Sequence, residues 1–424
     1  MRLSRLRNAV FLLWALGAAA AARAGVILIP MDDAQNDHLK AYGVAYWELT
    51  QGARVDWLLN YRGGSFICES AAGLEDICFL RGVVFERLDD AAAAAIYATV
   101  EQENMESIRL EKVPKVAIYT PPTNEPWDDA VTLALTYAEI PYATVWDPDV
   151  LAGKLFDYDW LHLHHEDFTG QFGKFYAAYR DALWYRQEKQ AAEETARALG
   201  FQKVAMLKRA VSLAIRDYVE QGGYLFAMCS APETIDITLA AQNTDIVPSE
   251  FDGDPPDPGC QSRLDYSHTF AFTGFSVSLD PMAYEHSDVD TSPDRMTKVA
   301  DRGSDFFTLF EFSAKLDPVP TMLVQNHVNA VNGFMGQTTA FRKPLVKNRV
   351  TILAESPALG EVRYLHGNMG RGTFTFYGGH DPEDYQHWVG DPPTKLEFHK
   401  NSPGYRLILN NILFPAARKK ERKT

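Results

Sequence analysis

The stretch Gly222-Gly223-Tyr224-Leu225-Phe226-Ala227-Met228-Cys229-Ser230-Ala231-Pro232-Glu233 decides the fold prediction. A glycine turn is followed by a short apolar run that predicts a strand, and Cys229 then stands among small residues before a helix-like segment. Small neighbours leave room for a side chain at the tip of a sharp strand-to-helix bend. The N-terminus of the helix would favour the thiolate, the form of cysteine that attacks as a nucleophile. The pattern predicts a nucleophilic Cys229; the alternative is a buried thiol that packs as a small hydrophobic side chain.

A second motif, Gly378-Gly379-His380-Asp381-Pro382-Glu383, follows another strand-like run near the C-terminus. An imidazole beside a thiol can take the thiol proton as the sulfur attacks, so Cys229 and His380 form a candidate catalytic pair. Either Glu383 or Asp381 would orient the imidazole, and the sequence leaves both open.

Strand, helix and strand segments recur along the chain and predict crossover connections. We expect strands at 26–30, 55–59, 116–120, 143–146, 160–164, 224–228 and 372–377, and helices at 37–51, 89–102, 127–138 and 174–221, the last broken near residue 200. This spacing predicts a three-layer α/β sandwich with a mostly parallel sheet, together with a smaller N-terminal α/β unit.

Three regions follow from composition. Residues 1–24 carry Arg2, Arg5 and Arg7, then an apolar run, then Ala22-Arg23-Ala24. This is typical of a signal peptide and predicts an exported protein, periplasmic or extracellular; the alternative is a retained anchor. Residues 25–112 form the N-terminal unit. Residues 113–424 form the main domain, with a Pro- and Asp-rich insertion at about 245–346 that is expected to rim the site.

Charge and cysteine count limit the partners. The net charge is -15, so neither nucleic acid nor an anionic membrane is an expected partner. No stretch after the leader is apolar for 18 residues, so no integral membrane segment is expected in the mature chain. The oligomeric state stays open. Cys68 and Cys78 could pair in an oxidising compartment, and a bridge between Cys260 and Cys229 would exclude the nucleophile.

Ligands of a doubly wound sheet bind beyond the carboxyl ends of its strands. The residues expected to contact substrate there, with one aromatic near the histidine motif, are Asn60, Thr120, His164, His165, Glu166 and Trp388. His162 and His164 share one strand face and could chelate zinc with Glu166 or Asp167; the alternative is ordinary hydrogen bonding. No metal ligand and no cofactor is assigned.

An elbow cysteine after one strand and a His-x-Pro-Glu motif after a later strand resemble the class I glutamine amidotransferase-like superfamily, whose sheet is flavodoxin-like. The resemblance covers roughly Pro114 to Phe414 without the insertion. It implies a hydrolytic triad of cysteine, histidine and glutamate, in which Cys229, His380 and Glu383 take the three places. Glu383 stands three positions after His380, where the family has two. Ile27-Leu28-Ile29-Pro30-Met31-Asp32 and Asn60-Tyr61-Arg62-Gly63-Gly64-Ser65-Phe66 also resemble exported bacterial proteins often labelled asparagine synthetase B.

The function expected from these residues and the resemblance is that of a Cys-dependent amidase or hydrolase. Its substrate would be a small carboxamide or an amide-linked peptide or glycan. The chain has no Ser-Gly-Gly-x-Asp phosphate loop of the kind that true asparagine synthetases carry. An exported protein has little access to ATP, which favours hydrolysis over ATP-dependent synthesis. The alternative is a non-catalytic extracytoplasmic binding module for a sugar, peptide or protein on the same fold.

Overall fold

The computed structural model describes residues 26–69, 71–123, 128–299, 302–317 and 320–419. The predicted signal peptide therefore lies outside the described residues. The strands are β1 Val26–Ile29, β2 Val55–Leu59, β3 Ser65–Glu69, β4 Glu86–Leu88, β5 Glu106–Leu110, β6 Val116–Tyr119, β7 Ala143–Val145, β8 Trp160–Leu163, β9 Tyr224–Met228, β10 Phe306–Leu309, β11 Ala330–Asn332, β12 Phe341–Arg342, β13 Thr351–Ser356, β14 Glu361–Met369 and β15 Gly372–Tyr377. The α-helices are His38–Thr50, Leu74–Arg81, Asp90–Gln102, Ala130–Ala138, Asp147–Leu151, Tyr176–Tyr179, Leu183–Ala198, Val204–Glu220, Ala231–Ala240, Ser249–Asp252, Ser292–Lys298, Pro320–Leu323 and Pro403–Leu413.

The N-terminal sheet has five strands in the order β4-β1-β3-β2-β5, and its pairings are antiparallel. β3 lies between β1 and β2 and runs against both. β1 and β2 therefore point the same way, as their connection through the helix His38–Thr50 requires, but they do not pair with each other. Asp37 caps that helix by accepting a hydrogen bond from the Lys40 N–H at 2.9 Å.

The larger sheet has ten strands, in the order β11-β10-β13-β14-β15-β9-β8-β6-β7 with β12 added beside β14. The pairings from β15 through β9, β8 and β6 to β7 are parallel. The pairings among β10 to β15 are antiparallel.

The predicted fold class is wrong. A mostly parallel, flavodoxin-like three-layer sandwich was expected, whereas one sheet is antiparallel and the other is mixed, with antiparallel pairings in the majority. Part of the difference comes from the predicted insertion, because β10, β11 and β12 lie within 245–346 and extend the large sheet. The predicted domain boundaries at 112/113 and 245–346 stay predictions.

Successive layers stack because side chains alternate across each strand. In β9, Phe226 and Met228 belong to one core, and Leu225 and Ala227 to the other. The first core lies between the two sheets and contains the helices His38–Thr50, Ala130–Ala138 and Pro403–Leu413. The second lies between the large sheet and the helices Val204–Glu220 and Ala231–Ala240. A smaller cluster packs the helix Asp90–Gln102 on the outer face of the five-stranded sheet. Within the described residues, no helix has the length and apolar character needed to span a membrane.

Candidate functional site

Cys229 occupies a sharp bend between β9 and the helix Ala231–Ala240, as predicted from the sequence. Its φ angle is 52°, in the left-handed region that side chains other than glycine rarely adopt. Strain of this kind is found at nucleophile elbows, where it presents the side chain above the sheet edge. The bend is held by the Cys229 N–H, which donates to the Gly379 carbonyl at 3.1 Å.

The sulfur of Cys229 faces backbone donors. The Gln337 N–H donates to Sγ at 3.4 Å, and the N–H groups of Ser230 and Thr338 also point at it. Gln337 and Thr338 belong to the predicted insertion, which therefore supplies part of this site. Gly336 permits this segment to lie close to the backbone of Gly379 and His380, because a Cβ at position 336 would be 2.7 Å from the backbone nitrogen of His380.

Burial raises the pKa of the Cys229 thiol to about 11, although the surrounding N–H groups act in the opposite direction. The sequence predicted a thiolate favoured by the helix N-terminus. The thiol is instead neutral at rest, because desolvation of the buried sulfur outweighs the helix and the backbone donors.

His380 lines the same cavity as Cys229 and is 6% exposed. Its Nδ1 lies 2.8 Å from Nε2 of His164, and its Nε2 has no hydrogen-bond partner among the described residues. Burial, reinforced by the neighbouring histidines, holds the pKa of His380 well below its ordinary value. The imidazole is therefore neutral, which is the form that can accept a proton.

A chain of polar contacts continues inward from His380. His164 Nδ1 lies 3.2 Å from His162 Nε2, and His162 Nδ1 lies 3.1 Å from the Phe226 carbonyl. Asp129 lies below both rings, with Oδ2 3.2 Å from His162 Nε2 and Oδ1 3.7 Å from His164 Nδ1. Burial alone would raise the pKa of Asp129, but His162 and His164 outweigh it and hold that pKa well below its ordinary value.

The two acidic residues that could have oriented His380 both bind elsewhere. Glu383 lies 3.0 Å from Nδ1 of His399. Asp381 is fully buried, accepts the Tyr405 hydroxyl at 2.8 Å, and accepts the backbone N–H of Glu383 at the same distance. His164 takes the place at His380 that the sequence had given to a carboxylate.

Only some of the predicted substrate-binding residues lie at this cavity. His165 and Trp388 line the cavity with Cys229 and His380. His164 is fully buried behind the cavity, and Glu166 accepts the His164 N–H at 3.0 Å.

Thr120 and Asn60 lie apart from this cavity. Thr120 follows β6 and donates its N–H to the Val145 carbonyl at 3.1 Å. The N–H of Asn60 donates to Gln325 Oε1 at 2.7 Å, and Gln325 Nε2 donates back to Asn60 Oδ1 at 3.0 Å.

The cavity has a volume of about 420 Å³, enough for a small organic ligand. Its lining mixes aromatic, histidine and smaller polar side chains, and Trp388 is 60% exposed at its mouth. The aromatic rings on its walls are those of Phe175, Tyr179, Tyr284 and Trp388.

His387 and its two carboxylates are residues that the sequence did not assign. Nδ1 of His387 lies 2.8 Å from Asp384 Oδ2, and Nε2 lies 3.0 Å from Asp128 Oδ1. The ring stacks on that of His380 with centroids 4.6 Å apart. Burial alone would lower the pKa of His387, but the two carboxylates raise it to about 9. The sequence feature that could have indicated His387 is a second histidine seven positions after His380, in His380-Asp381-Pro382-Glu383-Asp384-Tyr385-Gln386-His387.

The other cysteines leave Cys229 available. All four cysteines are free thiols, so Cys260 does not bridge Cys229 and Cys68 does not bridge Cys78.

Asp167 was one of the alternative zinc ligands predicted from the sequence. Its carboxylate accepts hydrogen bonds from the N–H groups of Thr169 and Gln171 at 2.7 and 2.9 Å and stabilises the loop that follows it.

No protein-family model and no curated protein matches the chain. Among solved structures it is similar to the cytoplasmic proteins STM3548 from Salmonella typhimurium and STM1381 from Salmonella typhimurium LT2. The identities are 10% and 11% and the TM-scores 0.34 and 0.33, and each match covers 72% of this chain and 100% of the other. A likeness at these TM-scores carries no argument about fold or function.

Both of those proteins are described as cytoplasmic, whereas an exported, periplasmic or extracellular location was predicted for this chain. That prediction is withdrawn, and nothing below depends on export.

Proposed function

We propose that the protein is a Cys-dependent amidohydrolase that acts on a small carboxamide or amide-linked substrate, with Cys229 as nucleophile and His380 as general base. One observation carries the proposal: a cysteine strained at φ 52° shares a cavity with a buried imidazole nitrogen that has no hydrogen-bond partner among the described residues. The resemblance to glutamine amidotransferase-like proteins supports the same chemistry.

The first step forms a bond between Cys229 Sγ and the carbonyl carbon of the substrate. Because the thiol is neutral at rest, its proton moves to Nε2 of His380 as the sulfur attacks. Nδ1 of His380 donates to Nε2 of His164, and Asp129 beside His164 stabilises the positive charge that develops on this pair of rings. His380 then returns the proton to the leaving nitrogen, the C–N bond breaks, and a thioester remains on Cys229. Water, deprotonated by the same nitrogen, then attacks the thioester carbon. The C–S bond breaks, His380 returns the proton to Cys229 Sγ, and the carboxylic acid product leaves.

The oxyanion of the tetrahedral intermediate requires fixed donors. The backbone N–H groups of Ser230, Gln337 and Thr338 face the sulfur, which makes them the candidate donors for the oxyanion on the attacked carbon. The residue after an elbow nucleophile supplies such a donor in α/β hydrolases, and Ser230 has that position here. The segment 335–338 supplies the rest.

Acylation by p-nitrophenyl acetate tests the proposal without knowledge of the substrate. We expect a burst of p-nitrophenolate from the wild-type protein and a mass increase of one acetyl group at Cys229. His380→Gln should slow this acylation by about 10²-fold or more, because it removes the general base. Cys260→Ser is the matched control and should acylate at the wild-type rate, since Cys260 is a buried thiol outside the cavity.

Two results would contradict the proposal. Acylation that is unchanged in His380→Gln would remove His380 from the mechanism. A Cys229 that is not acylated in folded protein, as judged by circular dichroism, would favour a non-catalytic binding module for a sugar, peptide or protein ligand.

A further inference from the structure

We propose that Asp128, His380 and His387 bind a divalent transition-metal ion of the zinc type at the wall of the cavity that contains Cys229. Each of the three residues offers one ligand atom, and these atoms lie within 4.8 Å of one another. Two imidazoles and one carboxylate form a common ligand set for catalytic zinc and for non-haem iron.

Some of the polar atoms at this point have no partner. Among the described residues, Nε2 of His380 and Oδ2 of Asp128 lack a hydrogen-bond partner. Asp128 Oδ1 and His387 Nε2 lie 3.0 Å apart as an ion pair. A buried polar atom without a partner costs about 1–3 kcal/mol, so the two unpartnered atoms beside this ion pair call for a ligand.

Nδ1 of each ring has a polar partner, as the second nitrogen of a metal-binding histidine usually does. Nδ1 of His387 lies 2.8 Å from Asp384 Oδ2, and Nδ1 of His380 lies 2.8 Å from His164 Nε2. Contacts of this kind fix the ring orientation. A metal ion would bind Nε2 of both rings and displace the proton that His387 Nε2 shares with Asp128.

Two other groups of residues in the same region fit less well. His164, His165 and His380 also converge, but His164 Nε2 and His380 Nδ1 already contact each other at 2.8 Å. Asp129, His162 and His164 lie beneath the cavity, and both histidine side chains there are 0% exposed, which leaves no open coordination position. His380 and His387 line the cavity wall, where water or a ligand can complete the coordination of an ion.

Nitrogen ligands select the class of metal. Mg²⁺ and Ca²⁺ prefer oxygen ligands, whereas imidazole suits zinc, iron, cobalt, nickel and copper. Three protein ligands at a cavity wall also leave positions open, as in catalytic rather than structural zinc sites.

The metal site and the proposed hydrolase share His380, so the two states exclude each other. One Nε2 atom cannot accept the thiol proton and bind a metal ion at the same time. The metal-free form is therefore the one proposed to react through Cys229. Metal binding itself requires no thiol.

Titration of purified, chelator-treated protein with Zn²⁺ by calorimetry, and with Co²⁺ by visible absorption, tests the site. We expect one ion per chain. Asp128→Asn and His387→Ala should each weaken binding by about 100-fold or more, because loss of a direct ligand should cost at least as much as loss of its supporting partner. Cys229→Ser should bind like the wild type, so this result does not depend on the outcome for the hydrolase. His399→Ala is the histidine control, since His399 pairs with Glu383 outside the cluster.

Absence of stoichiometric binding would overturn the inference, as would binding that is unchanged in both Asp128→Asn and His387→Ala. Loss of binding in Cys229→Ser would show that the thiol is a ligand and would overturn this ligand set. Asp128→Asn is nearly isosteric, so with a thermal melt like that of the wild type its result reports ligation rather than folding.

Discussion

Two features of Cys229 are unfavourable for folding: its thiol is buried, and its backbone is in the left-handed region. A side chain at positive φ brings Cβ too close to the carbonyl oxygen that follows, which costs about 1–2 kcal/mol. Small neighbours on both sides, Ala227 and Ala231, are fully buried and leave space for the bend. The strain persists because β9, the helix Ala231–Ala240 and the Gly379 carbonyl all hold the backbone there.

This strain predicts a difference between two variants that both lack the thiol. The free energy of unfolding of Cys229→Gly should be about 1 kcal/mol larger than that of Cys229→Ala. Alanine keeps a Cβ at φ 52°, whereas glycine has none. Urea denaturation of the two variants measures the difference. An alanine variant as stable as the glycine variant would show that the bend relaxes once the sulfur is removed.

At this scale the sequence predicted the positions of Cys229 and His380 but not the partner of His380. Apolar and glycine patterns mark where a strand ends, and both residues follow such ends. The partner is His164, which is 216 positions away along the chain, and its approach depends on how β8 and β15 flank β9. A local motif favoured Glu383 and Asp381, whose carboxylates bind His399 and Tyr405 instead.

At the scale of elements, the helix Pro403–Leu413 ties the end of the chain to the first loops of the five-stranded sheet. Arg406 is fully buried and donates to the Met31 carbonyl at 2.9 Å, to the Tyr42 hydroxyl at 3.0 Å, and to the Gly63 carbonyl. The segments 27–32 and 60–66 thus meet at one buried guanidinium. Their role at this point is structural.

Removing the hydrogen bonds of Arg406 should destabilise the protein. Arg406→Met should lower the free energy of unfolding by about 3 kcal/mol, because the carbonyls of Met31 and Gly63 each lose a buried donor. Arg418→Met is the matched control: Arg418 is 71% exposed, and its loss should change stability by less than about 0.5 kcal/mol. Urea denaturation measures both, and an Arg406→Met protein as stable as the control would refute the tie.

The elements themselves were easier to predict than their pairing. Strands at 55–59, 224–228 and 372–377 have the predicted bounds, because buried strands read as short apolar runs between turns. The pairing was wrong where strands that were not predicted from the sequence entered the sheets. β3 lies between β1 and β2, and β10 to β14 add antiparallel strands at one side of the large sheet.

At the scale of the whole molecule, two sheets and their helices bury several histidines in apolar layers. Burial lowers the pKa of His38 to about 4, of His327 to about 3 and of His366 to about 4, with Arg406 adding to the effect on the first two. An unfolded chain binds protons at these residues near pH 6.5, whereas the folded chain does not. Stability from these histidines is therefore present above pH 6.5 and is lost as the pH falls toward 4. Asp236, whose pKa burial raises to about 6, works against this loss over part of the same range.

His366 allows the contribution of one such histidine to be isolated. It lies on β14 with Nδ1 3.0 Å from Thr375 Oγ1, and burial is the cause of its lowered pKa. His366→Asn keeps a polar group near Thr375 but cannot take up a proton, so it should remove up to about 1.4 kcal/mol per pH unit from the acid dependence of stability between pH 6.5 and 4. Urea denaturation of both proteins at pH 8, 6 and 5 measures the change. The two should differ by a constant amount above pH 7, and the deficit of the variant should shrink as the pH falls. A deficit that stays constant down to pH 5 would mean that His366 takes up its proton equally in the folded and unfolded chains.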